Sequence, residues 1–209
     1  MMTKTDDRDF YFTITEAVRA PEVKISGSRF IADLFPAASK REVDEQLDRI
    51  RKEFYDASHH CYAYRLGNSA EIIRAADDGE PAGTAGKPIL LVLEGADITN
   101  IACVVTRYFG GTKLGTGGLA RAYSEAAQEA VAAATTKQVF LLKSISLQCS
   151  YDELAALERY LIQNNLRPKN ATYEEAISMT VDIRLSLIKT IQEEIKEKFL
   201  NKVAVTVEG

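Results

Sequence analysis

Cysteine is scarce in this 209-residue chain: Cys61, Cys103 and Cys149, an odd number at wide spacing with no C-x-x-C pair. That argues against a disulfide framework or a cysteine-based zinc site and fits reduced structural thiols in a cytosol. Histidine is scarcer still, with only His59 and His60. No apolar run is long enough to span a bilayer, no charged-then-apolar segment opens the chain, and no repeat or low-complexity tract is present. Positive charge is not in surplus either: 26 basic against 30 acidic residues leave a net charge of −4. A polyanion must therefore be met by a local basic patch, because the whole surface does not attract it. These absences lead to the expectation of a cytoplasmic protein with no membrane partner.

What remains is an ordinary globular composition, long enough for one large domain or two modest ones. The first nine residues are polar, with frayed ends expected there. "FYFTIT" and "SRFIADLF" read as strands joined by the polar "RAPEVKISG". Ser39 and Glu42 have capping-box spacing, and Val43, Leu47, Ile50 and Phe54 recur at helical intervals, which predicts a helix over 40–55. "HCYAYRLG" and "EIIRAAD" read as strands, a short apolar helix ends near Gly95, and "NIACVVTRYF" is a buried strand. The alanine-rich "GLARAYSEAAQEAVAAA" is a helix. The last 70 residues give a strand at "VFLLKSISLQCS" and a helix opened by Ser150 and Glu153. Two strands, a second helix and a final strand follow. That order is βαββαβ, the ferredoxin-like split pattern. The expected class is α+β in two domains, 1–136 and 137–209, with the boundary near Thr135–Gln138.

One stretch concentrates glycine. "RYFGGTKLGTGGLARA" (107–122) holds Gly110, Gly111, Gly115, Gly117 and Gly118 among the basic Arg107, Lys113 and Arg121. A Walker phosphate loop would need lysine where Thr116 stands, and Gly86-Lys87 is followed by Pro88, which has no hydroxyl for a metal. GTGGLA matches G-x-G-x-x-A, but "GGTKL" separates it from the strand, and no acid follows at the ribose-binding distance. No nucleotide cofactor is expected. Two readings stay open: an anion site made by free N–H groups and a positive helix end, or a turn that serves only chain reversal. Arg107 itself is either part of the anion site or buried and paired with Asp77 or Asp78.

A second stretch concentrates acid: Asp77, Asp78 and Glu80 around Gly79, with Thr84 beyond. Paired carboxylates bind magnesium or act as acid and base. They are also turn formers and favour helix N-termini. His59 and Cys61 share one face of a presumed strand, yet no third metal ligand is evident, so no metal is assigned. The nucleophile elbow of a Ser-His-Asp hydrolase is missing, and no catalytic residue is assigned. Tyr62, Tyr64, Tyr108 and Phe109 are candidates for stacking on bases if exposed, with Tyr62 and Tyr64 expected on opposite faces.

"SRFIA" (28–32), "ASHHCYAYR" (57–65), "DDGEPAGTAGKPIL" (77–90) and "VVTRYFGGTKLGTGGLARAY" (104–123) occur in the order and spacing of the IMPACT/YigZ family, which this chain resembles. One departure is His60, where the family commonly has asparagine. The resemblance implies an N-terminal domain similar to one in elongation factor G and in a small-subunit ribosomal protein, with helices on one sheet face. It implies a ferredoxin-like second domain. Eukaryotic relatives regulate translation under amino-acid starvation by competing for an activator of a translation-inhibiting kinase, through proteins with an additional N-terminal domain. That domain is absent from this sequence, and the partner is not carried over. The function expected here is a nucleic-acid- or ribosome-associated regulator of translation binding RNA phosphate at loops 77–87 and 107–121. Arg107, Gly110, Gly111, Lys113, Gly115, Gly117, Gly118 and Arg121 would hold it, with Asp77, Asp78, Gly79, Glu80, Thr84 and His59 completing a shared surface. The rivals are a metal-dependent hydrolase using those acids and His59, and a protein-binding module presenting the C-terminal sheet.

Overall fold

The computed structural model describes residues 8–207 and divides the chain into two compact units. Residues 1–7, most of the polar opening segment, lie outside the described residues. One unit is Tyr11–Val139, and the other runs from Phe140 onward and includes residues 8–10.

The first unit comprises β1 (Phe10–Ile14), β2 (Val18–Arg19), β3 (Val23–Ile25), β4 (Ser28–Pro36), α1 (Lys40–Glu53), β5 (His59–Leu66) and β6 (Ile72–Ala76). After these come α2 (Gly86–Gly95), β7 (Ile101–Tyr108), α3 (Gly115–Ala133) and β8 (Thr136–Phe140). Six strands make one sheet in the order β2-β4-β7-β5-β6, with β3 beside β4, while β1 pairs separately with β8. α1 starts where its capping residues direct: the Ser39 hydroxyl accepts the Glu42 N–H at 3.3 Å, and the Glu42 carboxylate accepts the Ala38 N–H at 2.9 Å.

β7 decides the layering, because all of its residues but Tyr108 are buried. Ile101, Cys103 and Val105 pack with Phe30, Leu34, Ile89, Leu93 and Tyr123. Ala102 and Val104 pack on the opposite side with Val43, Leu47 and Ile50 of α1. Helices therefore cover both faces, α1 on one and α2 with α3 on the other, which corrects the single-face arrangement that the resemblance implied. A strand apolar on both sides has to be covered on both. Tyr62 and Tyr64 also depart from expectation, since both lie on the α1 side with rings stacked 6.3 Å apart. Strand residues two apart point the same way.

α3 begins three residues earlier than the sequence suggests, so Gly115, Gly117 and Gly118 form its first turn. The expected strand "VFLLKSISLQCS" is also two strands, because residues on either side of Leu141 take different partners.

The second unit holds β9 (Leu142–Cys149), α4 (Tyr151–Gln163), β10 (Pro168–Tyr173), β11 (Ile177–Arg184), α5 (Ile188–Lys198) and β12 (Ala204–Val207). The sheet order is β10-β11-β9-β12 with every neighbouring pair antiparallel, the ferredoxin-like arrangement. Alternate residues of β9 and β11 (Ile145, Leu147, Met179, Val181) bury against Leu157, Leu161, Ile191 and Ile195. Ser150 makes no side-chain cap on α4, and Glu153 is drawn instead to Lys202 at 2.9 Å.

Candidate nucleic-acid interface

β5 presents His59 and Cys61 on one face towards the 77–80 loop, as the period of two requires. His59 Nδ1 lies 2.8 Å from the Asp78 carbonyl oxygen, and the Cys61 thiol donates to the Asp77 carbonyl at 2.9 Å. The loop turns through Asp78 (φ +44°) and Gly79 (φ +89°), both in the left-handed region. A Cβ on Gly79 would come within 3.4 Å of His59 Nδ1, so the turn sits directly on the imidazole.

Each carboxylate of the loop has fixed partners. Asp77 Oδ1 accepts the N–H groups of Ala85 and Gly86 at 3.0 and 2.9 Å, and Oδ2 accepts that of Gly83 at 2.8 Å. Burial pushes the Asp77 carboxyl up, but these three bonds outweigh it and hold the group below the usual carboxylate range. Asp78 Oδ2 accepts the His60 N–H at 2.7 Å, and Oδ1 accepts Arg51 at 3.1 Å. Glu80 is buried, with Oε1 accepting Arg107 Nη1 at 2.5 Å and the Tyr123 hydroxyl at 2.8 Å. The buried Thr84 hydroxyl donates to the Pro81 carbonyl at 2.6 Å. Glu80 and Thr84 are thus interior supports, a correction to their assignment to a shared surface. Among the described residues no group of three or more His, Cys, Asp and Glu side chains is placed to hold a metal ion.

The glycines of 107–121 divide by cause. Gly110 sits so close to the β3–β4 turn that a Cβ would lie 1.8 Å from the Gly27 carbonyl carbon. Its N–H donates to Ser28 Oγ at 3.2 Å. Gly111 and Gly115 have φ of +83° and +68°, which side chains avoid. Gly117 has neither constraint, and nothing lies within 4 Å of the position a Cβ would take. The first turn of α3 carries no side-chain cap and no acidic residue, and Lys113 beside it is exposed.

Two basic residues stand apart from the glycine turn, and Arg107 takes the buried, paired alternative with Glu80 in place of Asp77 or Asp78. Arg107 is 5% exposed, its guanidinium paired with Glu80 and within 3.3 Å of Ser28 Oγ. It is not a free phosphate ligand, because a cation inside the sheet has to be neutralised there. Arg121 is exposed, but it lies six residues past Gly115, about 9 Å along the helix axis. There it lines a shallow groove of about 630 Å³ with Pro88, Leu91 and Ser124.

Ser28 and Tyr123 were missed as members of this network. Tyr123 had a readable signal: a tyrosine buried among the alanines of α3 has to find a partner for its hydroxyl. Ser28 had none, since its role depends on the approach of Gly110.

Residues 26–131 match the Impact N-terminal domain, and residues 147–201 match a domain of unknown function, DUF1949. The chain is similar to IMPACT family member YvyE of Bacillus subtilis, 38% identical over 80% of this chain and 76% of the relative. It is similar to IMPACT family member YigZ of Escherichia coli, 38% identical over 76% of this chain and 78% of that one. Human Protein IMPACT is 33% identical over 42% of this chain and 28% of its own length. A solved structure described as that of a hypothetical protein aligns with a TM-score of 0.66 at 30% identity, covering 96% of this chain and 98% of the other. No helix among the described residues is long and apolar enough to cross a membrane. With both domain matches in order along the chain, and with identity at this level over most of two bacterial relatives, the chain belongs to the IMPACT family.

Proposed function

We propose that this chain is a nucleic-acid- or ribosome-associated regulator of translation, acting in the cytoplasm and holding an RNA phosphate at the start of α3. The observation that carries the reading is the uncapped first turn of a 19-residue helix, with Gly117 open to space and Lys113 beside it. Such a turn directs unpaired N–H groups and the positive end of the helix dipole outward. Lys113, Gly111, Gly115, Gly117 and Gly118 would form the contact, with Arg121 a second exposed cation farther along α3. In loop 77–87, Glu80 fixes Arg107 and Asp77 fixes the start of α2.

The test is the affinity for a fluorescein-labelled oligouridylate as salt is raised, together with co-sedimentation with ribosomes. Two phosphate contacts predict a slope of about −1.4 in log affinity against log salt. Lys113→Ala with Arg121→Ala should flatten it and weaken binding alike across sequences, since phosphate contacts carry no sequence information. An unchanged slope in a variant of unchanged stability rejects the site.

A further inference from the structure

We propose that Phe109 is a base-stacking platform for single-stranded RNA, an inference that rests on the RNA reading above. Phe109 follows immediately on β7, which is buried almost throughout, yet the residue is 51% exposed. Its backbone is pinned on both sides. The Phe109 N–H donates to Ser58 Oγ at 3.1 Å, and the next N–H, of Gly110, donates to Ser28 Oγ at 3.2 Å. Gly110 is wedged against Gly27 and Ser28 so tightly that no side chain fits there.

Arg107 supports the ring. Its guanidinium lies 5.6 Å from the Phe109 centroid and 5.5 Å from that of Phe30, within cation–π range of both. Glu80 and Ser28 hold that guanidinium in turn, so the cation stays beside the ring and does not follow a ligand. An exposed aromatic on a fixed backbone loses little freedom when a base covers it. It has the chemistry of single-strand recognition, in which bases of any identity stack on an aromatic face while cations track the phosphates. Phe109 and the first turn of α3 are the two ends of one six-residue turn, which places a base platform and a phosphate site on the same loop.

The chain contains no tryptophan, so Phe109→Trp introduces the only indole and a direct reporter. Titrated in the full chain, that variant should be quenched by oligouridylate and not by inorganic polyphosphate, which has charge but no bases. Phe109→Ala should weaken oligouridylate binding about 5- to 150-fold, the range for one stacked base, with the salt slope unchanged. Phe109→Tyr should bind as the parent does. If the parent binds no RNA, the phosphate reading fails and takes this one with it. If the parent binds with a slope that depends on Lys113 and Arg121, but Phe109→Ala binds equally and the indole is not quenched, stacking alone is overturned. Phe109 then belongs to a protein contact.

Discussion

Glu80 and Arg107 form a buried ion pair, Oε1 to Nη1 at 2.5 Å, that ties the loop before α2 to the end of β7. Breaking one side strands a charge in the interior. Arg107→Ala should therefore lower unfolding free energy by about 3–5 kcal/mol, and Glu80→Leu with Arg107→Met should recover most of that. Urea denaturation of the three proteins checks this. A single variant as stable as the parent would show that the pair is not buried in solution.

Asp77 closes the start of α2 with three backbone N–H bonds, and Asp77→Ala should cost about 1–2 kcal/mol, as the loss of a helix cap does. The folded pKa is depressed, so the stabilisation is present above the unfolded value of about 3.9 and is lost as pH falls through the folded value. The gap between parent and variant should then close in acid. With both oxygens committed, the midpoint should be the same in magnesium as in chelator; a magnesium-dependent rise in the parent, absent in Asp77→Ala, would make Asp77 a metal ligand.

Gly110 and Gly117 should respond oppositely to alanine. At Gly110 the added carbon would collide with the Gly27 backbone, and such overpacking costs at least about 1–3 kcal/mol. At Gly117 the space is open, and alanine in a helical position should add about 0.5–1 kcal/mol of stability. On the RNA reading, Gly117→Ala should weaken RNA binding while it stabilises the fold. A variant that gains stability and binds equally would assign Gly117 no part in the contact.

The three cysteines should be silent in the native protein. Burial pushes the Cys61 thiol up to about 12, with the Tyr123 hydroxyl only partly opposing it, and raises Cys103 and Cys149 as well. Only thiolate reacts. Ellman's reagent at pH 8 should detect no thiol in the folded chain and three in guanidinium; fast reaction of one thiol would reveal an open site.

Asp9 should matter to the second unit. It accepts Arg184 Nε and Nη2 at 2.9 Å each and the Ser186 hydroxyl at 2.5 Å, and these bonds hold its carboxyl well below the usual range. The stabilisation is present above the unfolded pKa and is lost as pH falls through the folded value. A fragment of 138–209 should unfold cooperatively, and Asp9→Ala in the full chain should lower hydrogen-exchange protection along β11 at neutral pH. No cooperative transition in the fragment would mean that it has no independent core.

Local patterns determined the elements. The helical spacing of Val43, Leu47 and Ile50, the capping pair Ser39 and Glu42, and the alternation in β9 and β11 act between near neighbours, so they are written in sequence. The glycine-rich turn and the acidic loop were legible as special places for the same reason. What each residue does there was decided by tertiary structure. Arg107 reads either as a phosphate-binding cation beside glycines or as a buried partner of Asp77 or Asp78, and only the pairing of β7 between β4 and β5 turns it inward onto Glu80. Gly110 and Gly117 look equivalent in the sequence, yet one is required by the approach of Gly27 and the other is not. Burial and close approach depend on residues that the chain brings together from afar, and no local pattern records them.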